Sequence, residues 1–111
     1  MFQIKSRIWV EGANGIFLGE GRIQLLKKID QEGSLSKAAK SMKMSYKKAW
    51  NLVDAINKSA PQAIVIKSTG GSGGGGTQLT EYGKQKITDF EAMKQRCWEF
   101  IDQQNKEFNN L

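Results

Sequence analysis

The sequence predicts a mainly α chain with small β elements: a winged helix-turn-helix with an N-terminal β-hairpin and a long C-terminal helix. Three observations lead there. Residues Gly33 to Asn57 read as a short helix, a tight turn and a second helix, with a serine available to cap each start. Two strand-like runs, Ala63-Ile64-Val65-Ile66-Lys67 and Thr77-Gln78-Leu79-Thr80, flank the tract Thr69-Gly70-Gly71-Ser72-Gly73-Gly74-Gly75-Gly76. An apolar stripe at helical spacing then runs from Glu81 to Phe108. A strand pair with a glycine-rich tip, placed after a helix-turn-helix, is the wing of a winged helix. The expected division of this single domain, residues 1–111, is a hairpin over 1–19 and a three-helix core over 20–58, with the helix-turn-helix at 36–57. The wing covers 63–80, and a dimerisation helix covers 81–108.

Taken in order, Phe2-Gln3-Ile4-Lys5-Ser6-Arg7-Ile8-Trp9-Val10 puts Phe2, Ile4, Ile8 and Val10 on one face, a period-two strand signal. Gly12-Ala13-Asn14-Gly15 is a turn and Ile16-Phe17-Leu18 the returning strand. From Gly21 the period becomes helical: Ile23, Leu26 and Ile29, with Leu25 beside them, form a stripe that stops near Gly33. Ser36 is the expected cap of the next helix, and Ala38-Ala39 permits close approach of a neighbour. Ser45 is the expected cap of the helix Tyr46–Ile56. In that helix Tyr46, Ala49, Val53 and Ile56 share one face, whereas Lys47, Lys48, Asn51 and Asp54 point away from it. Trp50 falls at the core boundary, and Pro61 ends the helical pattern. Thr80 caps the last helix, about 40 Å long. Ile87, Phe90, Cys97, Ile101 and Phe108 follow a seven-residue repeat there, widened by Met93, Trp98 and Phe100 and interrupted by Lys94 and Gln104. The chain has too little other protein to cover such a helix, so a second copy is the expected cover.

Composition narrows the function. The single Cys97 excludes an internal disulfide, and the absence of histidine argues against a zinc site or a histidine-based triad, so neither metal nor cofactor is expected. No apolar run nears the roughly 20 residues that cross a bilayer. Met1-Phe2-Gln3-Ile4-Lys5 lacks a signal-peptide pattern, which makes the cytoplasm the expected location. Of the net charge of +6, the segment 34–58 holds six lysines against one aspartate, a local +5. A concentrated basic patch is the footprint of a phosphate-backbone binder, although a solvated lysine face would give the same count.

Gly71-Ser72-Gly73-Gly74-Gly75-Gly76 satisfies the dinucleotide pattern G-x-G-x-x-G, but six glycines in seven positions match many patterns by chance. The second parallel strand that such a site needs is missing after the following helix, and a phosphate-binding Gly-Lys-Ser/Thr is absent. A flexible linker is the plainer competitor. As a wing tip, Gly71, Ser72, Gly73 and Gly74 could bring backbone N–H groups close to phosphates or the minor groove. The expected nucleic-acid-facing residues are these four with Ser36, Ser45, Tyr46, Lys47, Lys48 and Asn51. Asn can pair bidentately with adenine, and Lys can donate to guanine or to phosphate. The expected dimer contacts are Ile87, Phe90, Cys97, Trp98, Ile101 and Phe108. No carboxylate, thiol or hydroxyl is paired with a base, so no catalysis is expected.

Gly33-Ser34-Leu35-Ser36-Lys37-Ala38-Ala39-Lys40, Ser45-Tyr46-Lys47-Lys48-Ala49-Trp50 and the glycine tract followed by Leu79-Thr80-Glu81-Tyr82-Gly83 resemble the N-terminal DNA-binding domain of ModE-type molybdate-responsive transcriptional regulators. Gly21-Arg22-Ile23, Leu25-Leu26 and Ile29-Asp30 are similar to that family's first helix. The LysR-type helix-turn-helix is related but less close. The resemblance implies a winged-helix homodimer on a palindromic operator in double-stranded DNA, with Ser45, Tyr46, Lys47 and Lys48 at the DNA-facing end of the recognition helix. Lys43 stands where the family usually has a turn glycine; in a left-handed conformation lysine would cost on the order of 1–2 kcal/mol. The sequence ends after the long helix, so molybdate sensing is not carried over, and any signal would come through a separate sensor protein. The expected function is sequence-specific DNA binding by a homodimeric transcriptional regulator. A winged-helix protein-interaction adaptor and a nucleotide-binding fragment are the alternatives.

Overall fold

The computed structural model describes residues 1–68 and 76–110. Its elements are β1 (Val10–Gly12), β2 (Gly15–Leu18), α1 (Glu20–Glu32), α2 (Leu35–Ser41), α3 (Tyr46–Ser59), β3 (Val65–Ser68), β4 (Gly76–Leu79) and α4 (Glu81–Asn109). The strands form two separate antiparallel pairs, β1 with β2 and β3 with β4. This is the mainly α chain with small β elements that the periodicities predict.

One core unites them. Ile23, Leu25, Leu26 and Ile29 of α1 meet Leu35, Ala38 and Ala39 of α2, Ala49, Val53 and Ile56 of α3, and Ile64, Val65 and Leu79 at the base of the second hairpin. Leu18 closes one end and Ile87 and Phe90 of α4 the other. Each leucine or isoleucine fully removed from water contributes about 1.5–3 kcal/mol, which makes this cluster the main source of stability.

The junction between α1 and α2 corrects one expectation. Gly33 takes φ +66° and donates its N–H to the Ile29 carbonyl at 2.8 Å, a left-handed stop that side-chain-bearing residues resist. Ser34 is therefore the one extended residue before α2, and its Oγ accepts from the Lys37 N–H at 3.2 Å. Ser36, the expected cap, lies inside the first turn and is exposed.

The N-terminal segment also differs. Pairing starts only at Val10, opposite Leu18, because β2 has four residues and none remain to pair with residues 1–9. Those residues instead run along the far end of α4. Asn109 holds Phe2 from both sides: its Oδ1 accepts from the Phe2 N–H and its Nδ2 donates to the Phe2 carbonyl, each at 2.9 Å. Asn105 Oδ1 accepts from the Ile4 N–H at 2.7 Å, and the Phe2 ring meets Phe108 edge-on at 5.6 Å. The face formed by Phe2, Ile4, Ile8 and Val10 is not buried within this chain.

Only the first half of α4 belongs to the core. Thr80 caps it, its Oγ1 accepting from the Gly83 N–H at 2.9 Å and donating to the Ala63 carbonyl at 2.7 Å. A Cβ on Gly83 would lie 2.4 Å from the Ile64 carbonyl oxygen, so glycine alone lets α4 seat on the hairpin base. Beyond Met93 no residue of α4 is buried, and the molecule reaches 63 Å in its long dimension. Among the described residues, no helix is long and apolar enough to cross a membrane.

Candidate nucleic-acid interface

The helix-turn-helix is fixed from beneath. Ala38, Ala39 and Ala49 are fully or almost fully buried, and their small side chains let α2 and α3 approach closely. In the turn, Met42 donates its N–H to the Ala38 and Ala39 carbonyls at 3.2 and 3.1 Å, and Met44 donates to Ala39 at 3.0 Å. Both methionine side chains pack against the core. Ser45 then caps α3, its Oγ accepting from the Lys48 N–H at 3.1 Å.

This framework presents Ser45, Tyr46, Lys47, Lys48 and Asn51 to solvent on the first two turns of α3. Tyr46, which the periodicity assigned to the apolar face, is 52% exposed because the core begins one turn later, at Ala49. Trp50 is 43% exposed, at the edge of the core. Of the six lysines between residues 34 and 58, only Lys58 has a carboxylate partner among the described residues, Asp54 at 2.9 Å. Lys37, Lys40, Lys43, Lys47 and Lys48 are all exposed, and no carboxylate among the described residues neutralises them. The patch legible as a charge count is thus a field that the acids among the described residues leave intact.

The hairpin of β3 and β4 is tied to the helices at two points, Asn57 and Gly33, and its own base is closed by Thr80. Asn57 of α3 accepts at Oδ1 from the N–H groups of Ile64 and Val65, at 2.9 and 3.1 Å, and donates from Nδ2 to the Val65 carbonyl at 3.0 Å. Thr77 donates its N–H to the Gly33 carbonyl at 3.0 Å, and Thr80 donates its N–H to Ile64 at 2.9 Å. In register, Val65, Ile66, Lys67 and Ser68 face Leu79, Gln78, Thr77 and Gly76. Gly71, Ser72, Gly73 and Gly74 lie outside the described residues. Asn57 escaped the sequence reading: a polar residue late in an amphipathic helix looks like solvent-facing surface, and its three bonds depend on Ile64 and Val65, seven and eight residues away.

The expected dimer contacts divide in two. Ile87 and Phe90, at 8% and 3% exposure, are enclosed by the chain's own core and are not free to meet a partner. Cys97 and Ile101 are half-buried, and Trp98 and Phe108 stand 45% and 54% exposed. Lys94, which breaks the apolar repeat, reaches Glu20 of α1 at 2.7 Å and lies over the Trp98 ring at 5.0 Å. That contact holds the Glu20 carboxyl below its usual pKa, aided by a hydrogen bond from Gln24. Beside it runs a groove of about 660 Å³ between residues 6–9, Ile16, the start of α1 and Trp98. Arg22 opens onto it with Nη1 buried and without an acceptor among the described residues, and burial lowers the pKa of its guanidinium.

The fold and this surface define the chain as a winged helix-turn-helix module. No protein-family model matches it. It is 38% identical over 106 residues to the molybdenum transport protein ModE of Azotobacter vinelandii, a match covering 96% of this chain and 39% of that protein. The DNA-binding transcriptional dual regulator ModE of Escherichia coli is 40% identical over 80 residues, 72% of this chain and 30% of the regulator. The molybdenum-pterin-binding protein MopB of Rhodobacter capsulatus is 34% identical over 95 residues, 86% of this chain and 35% of its own length. The chain is similar to these ModE and MopB proteins and spans between about 30 and 39% of their length.

Proposed function

We propose that the chain binds double-stranded DNA through α3, as one half of a homodimer joined by the outer half of α4, and that it regulates transcription in this way. The observation that carries the reading is the set of five lysines on α2, the turn and α3 that no carboxylate of the described chain neutralises. Such a field raises the free energy of the isolated protein and is relieved by a polyanion, with release of the counterions condensed on the duplex. The capped α3 enters the major groove, where Asn51 is suited to adenine and Lys47 and Lys48 to guanine or phosphate. The wing, fixed at its base by Asn57 and Thr80, reaches the neighbouring backbone. Two relatives support this reading by name, one a DNA-binding transcriptional dual regulator and one a transcriptional regulator.

The dimer reading rests on Trp98, Ile101 and Phe108, an apolar strip that the chain leaves only partly covered. A two-fold pair of recognition helices calls for half-sites one helical turn apart, about 34–36 Å, or a multiple of it. Selection of bound sequences from a random duplex pool tests binding, specificity and spacing together. The expected result is an enriched palindrome; recovery of an unenriched pool at every salt concentration would contradict sequence-specific binding.

A further inference from the structure

Among the described residues, Lys43 is the one non-glycine residue with a positive φ, at +56°. The turn requires it. Met42 and Met44 both pack against the core with a single residue between them, and Met44 must still bond to the Ala39 carbonyl at 3.0 Å. Only a left-handed residue reverses the chain that tightly, and glycine holds this conformation without the clash between Cβ and the following carbonyl. Lysine is among the less suitable occupants: it lacks the short polar side chain with which Asn or Asp settles into this region.

Among the described residues, no contact of the Lys43 side chain compensates for the strain. The Lys43 side chain is exposed, makes no hydrogen bond and has no carboxylate partner among the described residues. Its charge adds a further disadvantage, because Lys40, Lys47 and Lys48 stand exposed within five residues of it along the chain. Like charges gathered without counter-charge repel in the free protein. A residue that is unfavourable to the fold on two counts, at the mouth of a recognition helix, fits the pattern of strain retained for a task.

We propose that Lys43 is a phosphate-backbone contact of the helix-turn-helix, a cation held beside the capped start of α3 although it costs the fold stability. This rests on the DNA-binding reading above. It adds to that reading a residue in the turn itself, outside the recognition helix, that anchors the domain without reading sequence. A backbone contact fixes register and contributes equally on every sequence.

The test compares the intact chain with K43G and K43R, measuring thermal midpoint and duplex affinity over a range of salt concentrations. In K43G the thermal midpoint rises by a few °C as the left-handed strain is relieved. The same variant binds duplex DNA several-fold more weakly, with the slope of log K against log salt shallower by about 0.9, the signature of one lost phosphate contact. K43R keeps the charge and the strain, so its affinity, slope and midpoint stay near those of the parent. If the parent binds DNA and K43G binds with the same affinity and slope, the assignment of Lys43 is wrong while the DNA-binding reading stands. If the parent itself fails to bind any duplex at low salt, both are overturned.

Discussion

α3 and α4 are both amphipathic, yet they treat their apolar residues in opposite ways. α3 hides Ala49, Val53 and Ile56 within its own chain and shows lysine, asparagine and serine outside. α4 does the same only as far as Met93; beyond that point it carries Trp98, Phe100, Ile101 and Phe108 with no core behind them. A helix whose apolar face is satisfied and whose outer face is cationic is prepared for a polyanion. One whose apolar residues continue past the end of its core is prepared for protein. The contrast assigns the two proposed partners, DNA and a second copy, to different ends of one molecule.

The largest effect is expected where α4 still belongs to the core. Gly83→Val drives side-chain atoms into the Ile64 carbonyl, which a Cβ alone would approach to 2.4 Å. The seating of α4 on the hairpin base should be lost, with destabilisation of about 3 kcal/mol or more in a denaturant titration. A variant of parental stability would mean that the proximal half of α4 is not integral to the fold.

The distal half should respond differently. Trp98→Glu combined with Ile101→Glu places charge on the open strip without touching the buried core. Sedimentation should change from a dimer of 12.4 kDa chains to the monomer, while the helical signal of the isolated chain is retained. An unaltered sedimenting mass would place the partner contact elsewhere.

The smallest effect belongs to the contact that ties α4 to α1. Lys94 holds Glu20 below its usual pKa, so the folded state binds that proton less readily than the unfolded chain does. The resulting stabilisation is present above the unfolded pKa and is lost as pH falls through the folded value, below about 4.5. Because the Glu20 carboxyl itself is largely solvent-exposed, the change is small. Glu20→Gln should flatten this part of the thermal-midpoint profile and leave neutral-pH stability nearly unchanged.

The features that could be read directly from the sequence were those whose signal is local. Ile23, Leu25, Leu26 and Ile29 announce α1 by their spacing, and Ser45 and Thr80 sit immediately before the helices they cap. The left-handed turn at Lys43 was signalled only by the family resemblance, in which a glycine usually stands at that position. Ser36 misled because two serines stand two positions apart, and only the geometry imposed by Gly33 decides that Ser34 is the extended one. The alternation from Phe2 to Val10 misled for a longer-range reason: a strand needs a neighbour, and the four residues of β2 supply one only from Val10 onward. Asn105 and Asn109, which receive that segment instead, are more than a hundred residues away. Asn57 belongs to the same class, as a side chain whose role exists only once the wing has folded against α3.

The central claim is that the uncompensated lysines at the start of α3 meet duplex phosphates or bases. Its most direct test is the salt dependence of duplex binding by the parent and by the variant carrying Lys47→Ala and Lys48→Ala. If both lysines contact phosphate, the variant should lose affinity with a log–log slope shallower by about 1.8, while its thermal stability changes by no more than about 0.5 kcal/mol. Equal affinity and equal slope for the two proteins would contradict the claim.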